Sequence, residues 1–550
     1  MAELSGGEAV VAALAALGVE QVFGIVSVHN LPIYDAMARD GRIRPIAARH
    51  EQGAVHEADG YARSTGRLGV AITSTGPGCA NAMSGLFEAS FASSPVLMIT
   101  GQIDSGFYGK GKGFLHEAEH QLPMLQEVTR QARTVRRTED VFDTIVSVAR
   151  EVTTGRPQPG AVEIPVDLQY GHAEVEVPAL GAWPELRPRP AQLEAAVEVL
   201  SGAERPVLWA GGGVMRAGAA SLLAGLAERL EAPVVTTING RGSIPEDHRL
   251  CVGAVLGTMG GGDEVARVLS GADVVVAVGT RFQASATQQW SWAMPGRLVH
   301  VDADPGVIGR NYRADVAVVA DARLALEALL DRLGPKPARP SAARRRFSEQ
   351  AGAARDAARA AMRDRIGPDH AAIMDVIREL LPRQGILARD ATVPAYLWAD
   401  RLLPVYEPRT SLHPTSAAIG PGLPLAIGAA IGTGRRTVLV QGDGGLMLSL
   451  GELATAVQEA APVITCVFND RGYGVLRAVQ TMTFEGRTTG VDLPTPDFAG
   501  LARAMGMPAA SVATVEAFRD AFKRAIDTPG PSLIEIDMAA LPLSLTGARR

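Results

Sequence analysis

The segment from residue 437 to residue 474 constrains the fold more than any other part of the chain. It begins with a short apolar, β-branched run, Thr437 to Gln441, which predicts a buried strand. A Gly-rich turn, a periodic run typical of a helix and a second apolar run, Val463 to Phe468, follow in that order. Because a helical crossover joins parallel strands, this segment predicts a parallel α/β sheet.

An acidic residue follows each of these two predicted strands. Asp443 and Asp470 are 27 positions apart, a spacing that suits one crossover unit. Carboxylate oxygens are ligands that Mg²⁺ prefers. Gly444 and Gly445 allow backbone N–H groups to approach phosphate oxygens closely. The pattern therefore predicts a pocket for a diphosphate held through a divalent metal, at the strand ends where parallel sheets bind ligands.

The complete motif is more specific than either half. A Gly-Asp-Gly after a strand is by itself typical of an ordinary turn. Followed at this spacing by Asn469-Asp470-Arg471-Gly472-Tyr473-Gly474, it resembles the motif of the thiamine diphosphate enzymes. The resemblance is to their acetolactate synthase-like branch, in the superfamily of pyruvate decarboxylase and benzaldehyde lyase. It implies that Mg²⁺ binds the side chains of Asp443 and Asp470 and the carbonyl of Gly472. Many members carry Asn at the position of Asp470.

A second part of the resemblance begins at Glu51. Residues 49–63 follow a predicted strand, Arg44 to Ala47, and open a helix, where a carboxylate is favoured by the helix dipole. In the family, a Glu at this place hydrogen-bonds the aminopyrimidine ring of the cofactor and activates it. The predicted cofactor-binding residues are Glu51, Gly76, Thr415, Ser416, Ile419, Gly442, Asp443, Gly444, Gly445, Asp470, Gly472 and Tyr473.

Several of these residues have specific expected roles. Gly76 belongs to a Gly-Pro-Gly turn that the family packs near the cofactor. Thr415 and Ser416 precede a predicted helix, Leu423 to Ile431, and suit diphosphate contacts at its N-terminus. The resemblance places Ile419 beneath the bent cofactor.

The predicted substrate pocket consists of Val28, His29, His116, Gln121 and Val479. A single loop histidine is often incidental, but both histidines lie in loops that the family directs at the cofactor. His29 and His116 are therefore candidates, with Glu51, for catalytic proton transfer. Acetolactate synthases carry Trp at the position of Val479, so this substitution argues against the usual branched-chain biosynthetic role.

Composition limits the classes of partner. The chain has 550 residues, a formal net charge of −6 and three scattered cysteines. We expect no nucleic acid or membrane as partner, no signal peptide and a cytoplasmic location. Pro-rich stretches at residues 178–190 and 334–345 read as linkers.

Three parallel-sheet α/β domains are predicted: 1–178, 190–335 and 365–550. The resemblance identifies them as the pyrimidine-binding (PYR), Rossmann-like and diphosphate/metal-binding (PP) domains.

The middle domain could be a dinucleotide site, because Gly211-Gly212-Gly213 follows a predicted strand, Pro206 to Ala210. Acetolactate synthases bind FAD here. Their Arg-Phe-Asp-Asp-Arg run is replaced by Arg281-Phe282-Gln283-Ala284-Ser285. A purely structural Rossmann-like domain is therefore favoured over one that binds FAD.

The resemblance implies a carboligase or lyase that uses thiamine diphosphate and Mg²⁺. It would decarboxylate a 2-oxo acid to an enamine, followed by acyloin formation or protonation. The alternatives are a simple 2-oxo acid decarboxylase, an aldehyde lyase and, less favoured, a flavin-dependent enzyme of pyruvate oxidase type. The expected partners are small 2-oxo acids or aldehydes and further copies of the chain, in a homodimer or homotetramer.

Overall fold

Three six-stranded parallel sheets form the framework of the protein, which confirms the predicted α/β class. A computed structural model describes residues 2–254, 262–335 and 340–543. The predicted linker at residues 334–345 includes residues 336–339, which lie outside the described residues. The limits of the three domains remain predictions.

The N-terminal domain contains one of the sheets and a small antiparallel pair, β1 with β8. Its strands are β1 Ala2–Ser5, β2 Gln21–Gly24, β3 Arg44–Ala47, β4 Gly69–Thr73, β5 Val96–Gln102, β6 Gln131–Thr134, β7 Gly160–Pro165 and β8 His172–Val175. Its helices are α1 Gly6–Ala16, α2 Leu31–Asp40, α3 Glu51–Thr65, α4 Pro77–Ala92, α5 Gln121–Val128, α6 Val141–Thr153 and α7 Val166–Tyr170.

The middle domain contains the second sheet. Its strands are β9 Pro206–Ala210, β10 Val234–Thr236, β11 Cys251–Gly253, β12 Val274–Val278, β13 Arg297–Asp302 and β14 Val316–Val319. Its helices are α8 Pro190–Ser201, α9 Gly212–Arg216, α10 Ala220–Leu230, α11 Asp263–Leu269 and α12 Ala322–Leu333. Counted along the domain, the strand order is 3-2-1-4-5-6, the dinucleotide-binding order.

A long helix, α13 Ala342–Leu380, leads into the C-terminal domain and kinks at Gly367, which precedes Pro368. The strands of that domain are β15 Ile386–Arg389, β16 Ser411–Leu412, β17 Thr437–Gly442, β18 Val463–Asn469, β19 Ala509–Val512 and β20 Ser532–Asp537. Its helices are α14 Gly422–Thr433, α15 Asp443–Met447, α16 Glu452–Gln458, α17 Gly474–Thr483, α18 Phe498–Ala504 and α19 Val515–Asp527. A π-helical turn spans Ala395–Ala399.

The N-terminal and C-terminal domains share one topology. The N-terminal sheet has the order β3-β2-β4-β5-β7-β6, and the C-terminal sheet has the order β16-β15-β17-β18-β20-β19. Counted along each six-stranded sheet, both read 2-1-3-4-6-5. The order reverses between the first and third strands, which is where open parallel sheets bind ligands.

The two domains contact each other through α3 and α14. A Cβ at Gly428 would lie 1.9 Å from the carbonyl oxygen of Glu57, and one at Gly60 would lie 2.1 Å from that of Leu425. Only glycine allows two helix backbones to approach this closely. The contact fixes the helix that begins at Glu51 against the C-terminal domain.

Candidate functional site

A cleft at the C-terminal ends of β15, β17 and β18 contains the predicted metal motif. Its empty space, part of which is open to solvent, is about 540 Å³. The cleft is lined by Ala391, Thr392, Val393, Tyr396, Ala417, Ile419, Gly442, Asp443, Gly444, Gly445, Asp470, Gly472, Tyr473, Gly474, Val475 and Leu476. The structure therefore brings together the predicted residues Ile419, Gly442 to Gly445, Asp470, Gly472 and Tyr473. Among the described residues, those that line this cleft all belong to the C-terminal domain.

Two neighbouring carboxyl groups dominate the electrostatics of the cleft. Asp443 is buried, and its Oδ2 accepts a 2.8 Å hydrogen bond from the backbone N–H of Gly472. Burial raises the pKa of Asp443. Burial, and then the negative charge of Asp443, raise the pKa of Asp470 to about 7, while the guanidinium of Arg477 opposes the shift. A cation between these carboxyl groups would stabilise their ionised forms against both burial and mutual repulsion.

The backbone around the two carboxyl groups leaves room for a ligand. A Cβ at Gly444 would lie 2.8 Å from the ring of Tyr473 and 3.3 Å from the carbonyl oxygen of Gly472. Gly472 has φ of 149°, and a Cβ there would lie 2.0 Å from the carbonyl oxygen of Val491. Side chains are therefore excluded from the positions that bring backbone groups to the cleft.

The residues present fit a hard divalent cation that carries a diphosphate. They supply two carboxylates and a nearby backbone carbonyl, which are oxygen ligands, in a pocket that lacks side chains at Gly444 and Gly445. No group of three or more His, Cys, Asp and Glu side chains suited to a metal ion occurs within the described ranges. A site with two side-chain ligands and one carbonyl does not need such a group.

The segment that contains Ile419 is held at both ends by buried carboxylates. At its start, Glu88 of α4 accepts hydrogen bonds from the backbone N–H groups of Thr415 (2.6 Å) and Ser416 (2.9 Å) and from the Ser416 hydroxyl (2.5 Å). At its end, Asp390 accepts the N–H groups of Gly420 (2.9 Å) and Gly422 (3.1 Å). The predicted contact of Thr415 and Ser416 with a diphosphate remains a prediction.

Glu51 lies in the N-terminal domain, at the start of α3. Its Oε2 accepts a 3.0 Å hydrogen bond from the side-chain amide of Asn81 on α4. A Cβ at Gly78 would lie 2.9 Å from the other carboxylate oxygen. Glu51 therefore lies beside the Gly76 turn, and α3 and α4 together position it.

The two predicted histidines meet beside this turn. The rings of His29 and His116 have centroids 5.0 Å apart. A Cβ at Gly76 would lie 2.5 Å from the carbonyl oxygen of His116, whose φ of 62° is unusual for a residue with a side chain. Burial, and then the charge of His116, lower the pKa of His29. His29 therefore favours the neutral form, which can accept a proton.

Gln121 is fully buried beneath the same turn. Its Oε1 accepts hydrogen bonds from the backbone N–H of Gly76 (2.8 Å) and the hydroxyl of Thr75 (2.9 Å). Its Nε2 donates to the carbonyl of Gly101 and to Glu163. These contacts support the turn, so the side chain amide of Gln121 is already engaged by the N-terminal domain.

The remaining predicted pocket residues lie on exposed surfaces of the two domains. Val28, in the loop after β2, is 56% exposed, and Val479, on α17, is 45% exposed. Other exposed apolar side chains lie in the same two domains. In the N-terminal domain they are Val26, Leu31, Phe87 and Phe91, and in the C-terminal domain Met447, Leu448, Leu476, Met482 and Phe484.

A separate crevice of about 960 Å³ lies between the middle and N-terminal domains. Gly212 and Gly213 after β9, Thr280 after β12 and Asp302 at the end of β13 line it, as does Arg156 of the N-terminal domain. Its position matches the dinucleotide crevice expected from the strand order.

Three residues near the C-terminal cleft were not predicted from the sequence. Asp390 follows β15 directly, and a strand-end carboxylate is a signal that could have identified it. Tyr396 lines the cleft from the π-helical turn, and such turns are frequent at functional sites. Glu88 lies four residues before Ala92 and three after Gly85, on the buried face of α4, so helical periodicity marks it as buried.

None of the helices in the described ranges is long and apolar enough to cross a membrane.

Comparison with protein families gives three successive matches. The N-terminal TPP binding domain of the thiamine pyrophosphate enzymes matches residues 4–124. Their central domain matches residues 193–329, and their C-terminal TPP binding domain matches residues 394–536.

Individual relatives align along nearly the whole chain. A probable 2-ketoarginine decarboxylase of Pseudomonas aeruginosa is 36% identical over 97% of this chain and 94% of its own length. A probable acetolactate synthase large subunit of Methanocaldococcus jannaschii is 32% identical over 99% of this chain and 94% of its own. The acetolactate synthase isozyme 3 large subunit of Escherichia coli is 32% identical over 92% of this chain and 89% of its own.

Proposed function

Because the chain belongs to the family of thiamine pyrophosphate (thiamine diphosphate) enzymes, we propose that it decarboxylates a 2-oxo acid and then protonates or ligates the product. The observation that carries this proposal is a matched pair of half-sites. Glu51 and two histidines lie beyond the strand ends of the N-terminal sheet, and Asp443 and Asp470 lie at those of the C-terminal sheet.

The C-terminal half-site is proposed to hold the cofactor through its metal. Asp443, Asp470 and the carbonyl of Gly472 would bind Mg²⁺, and the N–H groups near Gly444 and Gly445 would face phosphate oxygens. Thiamine diphosphate, when bound, supplies a carbon nucleophile that also accepts the electron pair released by decarboxylation. The protein supplies orientation and a site from which water is partly excluded.

The N-terminal half-site is proposed to handle protons. Glu51 would hold a proton shared with a ring nitrogen of the cofactor, and the amide of Asn81 fixes the orientation of its carboxylate. His29 and His116 would exchange a proton with the substrate oxygen. The lowered pKa of His29 supports this role because the neutral imidazole is a proton acceptor.

A second copy of the chain is proposed to complete the active centre. The described residues that line the C-terminal cleft include none from the N-terminal domain, and Glu51 contacts its own domain. Exposed apolar side chains border both half-sites, including Val28 and Leu31 on one and Leu476 and Val479 on the other. A twofold pairing would cover both surfaces. We therefore expect a homodimer or homotetramer.

The relatives support two outcomes for the bound acyl group. The acetolactate synthases support ligation to an acceptor carbonyl, whereas the 2-ketoarginine decarboxylase supports simple protonation. Val479 occupies the position of a Trp that the resemblance assigns to the acetolactate synthase pocket, which favours a specialised carboligase or decarboxylase.

A flavin-dependent oxidase is a second candidate, because the crevice of about 960 Å³ lies at the dinucleotide position of the middle domain. A flavin absorption band in the purified protein would support this candidate, and a colourless protein would oppose it.

For location, we expect the cytoplasm. The three cysteines are all buried and free, which supports a reducing compartment.

Proton NMR of reaction mixtures tests the proposal. Purified protein is supplied with thiamine diphosphate, Mg²⁺ and one 2-oxo acid, pyruvate or 2-oxo-5-guanidinopentanoate. Acetolactate or acetoin from pyruvate would identify a carboligase, and the corresponding aldehyde would identify a decarboxylase. Glu51→Gln is the control and should give neither product. Absence of product and of cofactor binding in the unaltered protein would contradict the proposal.

A further inference from the structure

The segment from Thr415 to Gly422 joins the N-terminal domain to the C-terminal cleft. Its middle residues, Ala417 and Ile419, line that cleft. Its first amides point at Glu88, which belongs to the other domain and is fully buried. The wall of the cleft is therefore attached to a carboxylate outside the domain that forms the cleft.

Glu88 makes the contacts that an anion would make at these amides. One carboxylate oxygen accepts the N–H of Thr415 at 2.6 Å, and the other accepts the N–H of Ser416 at 2.9 Å and its hydroxyl at 2.5 Å. Arg63 of α3 lies 3.5 Å from the first oxygen and donates to the carbonyl of His413 at 2.8 Å. The guanidinium of Arg63 and the amides of Thr415 and Ser416 therefore already have partners within the protein.

The far end of the segment has a matching attachment. Asp390 accepts the N–H groups of Gly420 and Gly422, and it also accepts a 2.8 Å hydrogen bond from the side chain of Gln441, next to Gly442. Two buried carboxylates therefore fix the segment at its two ends, with Ile419 between them. Each carboxyl group accepts two backbone N–H groups of the segment, so both attachments restrict the backbone.

We propose that Glu88 is a positioning residue, which occupies the amides of Thr415 and Ser416 in place of the cofactor's diphosphate and thereby holds Ile419 against the cleft. The part that concerns the cofactor rests on the proposed function. The attachment itself does not, because it is made between residues of this chain. In this role Glu88 contacts neither substrate nor cofactor.

Hydrogen exchange of the cofactor-free protein tests the attachment directly. Glu88→Ala should accelerate exchange of peptides that contain the Thr415 and Ser416 amides. Glu88→Gln should accelerate it less, because its one remaining carbonyl oxygen can still accept a hydrogen bond.

Glu246→Ala is the matched control. Glu246 is an equally buried carboxylate that joins Arg241 of the middle domain to the N–H of Val405, away from the segment. It should leave exchange at Thr415 and Ser416 unchanged. Unchanged exchange in the Glu88 variants would overturn the inference.

Calorimetry then distinguishes whether the amides of Thr415 and Ser416 bind Glu88 or the diphosphate of the cofactor. Under the inference, Glu88→Ala weakens binding of thiamine diphosphate with Mg²⁺ by at least about tenfold, since a displaced Ile419 no longer fits the bound rings. Binding of inorganic pyrophosphate with Mg²⁺, which has no rings, stays within about twofold. Glu88→Gln should lie between Glu88→Ala and the unaltered protein.

Tighter pyrophosphate binding by Glu88→Ala would overturn the inference. If the two amides bind diphosphate, removing the negative charge of Glu88 should tighten pyrophosphate binding. If Glu88→Ala does not fold, Glu88→Gln gives the same two comparisons. Failure of the unaltered protein to bind thiamine diphosphate would contradict the proposed function, and the exchange experiment would still decide the attachment.

Discussion

The N-terminal and C-terminal domains share the strand order 2-1-3-4-6-5, yet the loops after their equivalent strands carry different chemical groups. After the first strand, the N-terminal domain has His29 and the C-terminal domain has Asp390. After the third strand, the N-terminal domain has the Gly76 turn, where the C-terminal domain has Asp443. The same two strand ends therefore present imidazole and backbone in one domain and carboxylates in the other.

Burial acts on both sets of groups by disfavouring their charged forms, with opposite consequences. In the C-terminal domain it raises the pKa of Asp443 and Asp470, so their ionised forms need a cation. In the N-terminal domain it lowers the pKa of His29, which leaves a neutral proton acceptor. One topology thus presents buried carboxyl groups in one domain and a neutral imidazole in the other, and the difference lies in the loops.

The largest expected effect is at Glu51. If the N-terminal half-site handles protons, Glu51→Gln should lower turnover by about 10²- to 10⁴-fold, because the amide cannot hold the shared proton. Binding of pyrophosphate with Mg²⁺ by the C-terminal half-site should be unchanged by calorimetry. Glu20→Gln, at an exposed carboxylate of the same domain, is the control. Equal loss of turnover and pyrophosphate binding would show that proton transfer and diphosphate binding are not assigned to separate half-sites.

The next effect separates the two carboxylates of the metal motif. Asp443→Ala removes a buried ligand and should weaken Mg²⁺-dependent pyrophosphate binding by about 3 kcal/mol, roughly a hundredfold. Asp470→Asn should cost much less, because its amide oxygen can still bind the metal and the adjoining negative charges are reduced. Isothermal titration at several Mg²⁺ concentrations measures both variants. A larger loss for Asp470→Asn than for Asp443→Ala would reverse our assignment of the main ligand.

A smaller effect is expected at the histidines. Removing either side chain, in His29→Ala or His116→Ala, should reduce kcat by about ten- to a hundredfold, while metal-dependent pyrophosphate binding is kept. Because the pKa of His29 lies below its usual value, kcat/KM should fall only below the ordinary histidine range, and that acid limb should disappear in His29→Ala. His120→Ala alters an exposed histidine near His116 and is the control. An acid limb that persists without His29 belongs to another group.

The smallest effect concerns the interface of the two domains. Glu57 on α3 is buried, and burial together with the nearby charge of Glu452 raises its pKa well above the usual value. Folding therefore takes up a proton at Glu57, so the contribution of this group to stability is most favourable at low pH and falls as pH rises towards its folded-state pKa. Glu57→Gln keeps a neutral group and should raise the midpoint of thermal unfolding by about 2 °C at about pH 8. Scanning fluorimetry from about pH 6 to about pH 9 measures this, and an unchanged pH dependence would contradict it.

The strands were predicted well where apolar runs are bounded by turn residues. The predicted limits of β3, β9 and β12 agree with the structure, and a Gly directly follows the apolar runs of β9 and β12. The charged helical segment that begins at Ala342 ends at Gly367, whose φ of 75° and ψ of 171° are not helical. A second helical segment runs from Pro368 to Leu380, and its Ile373 and Ile377 pack in the core.

The metal motif could be predicted because it is continuous along a strand–helix–strand unit. Glu88 and Asp390 could not be assigned a role in this way, since their partners are distant in sequence: Glu88 bonds residues 327 and 328 positions away. The burial of Gln121 likewise depends on its contacts with Gly101 and Glu163. Contacts between domains leave no local pattern in the sequence.

Mixed dimers test whether the two half-sites of one active centre come from two copies of the chain. Glu51→Gln and Asp443→Ala, each inactive alone, are co-expressed with different tags, and the doubly tagged species is purified. One of its two centres would contain both substitutions and the other neither. If each centre is shared between two chains, random mixing should restore about a quarter of normal activity, and the purified mixed dimer should have about half. A mixed dimer that forms but stays inactive would show instead that both half-sites act within one chain.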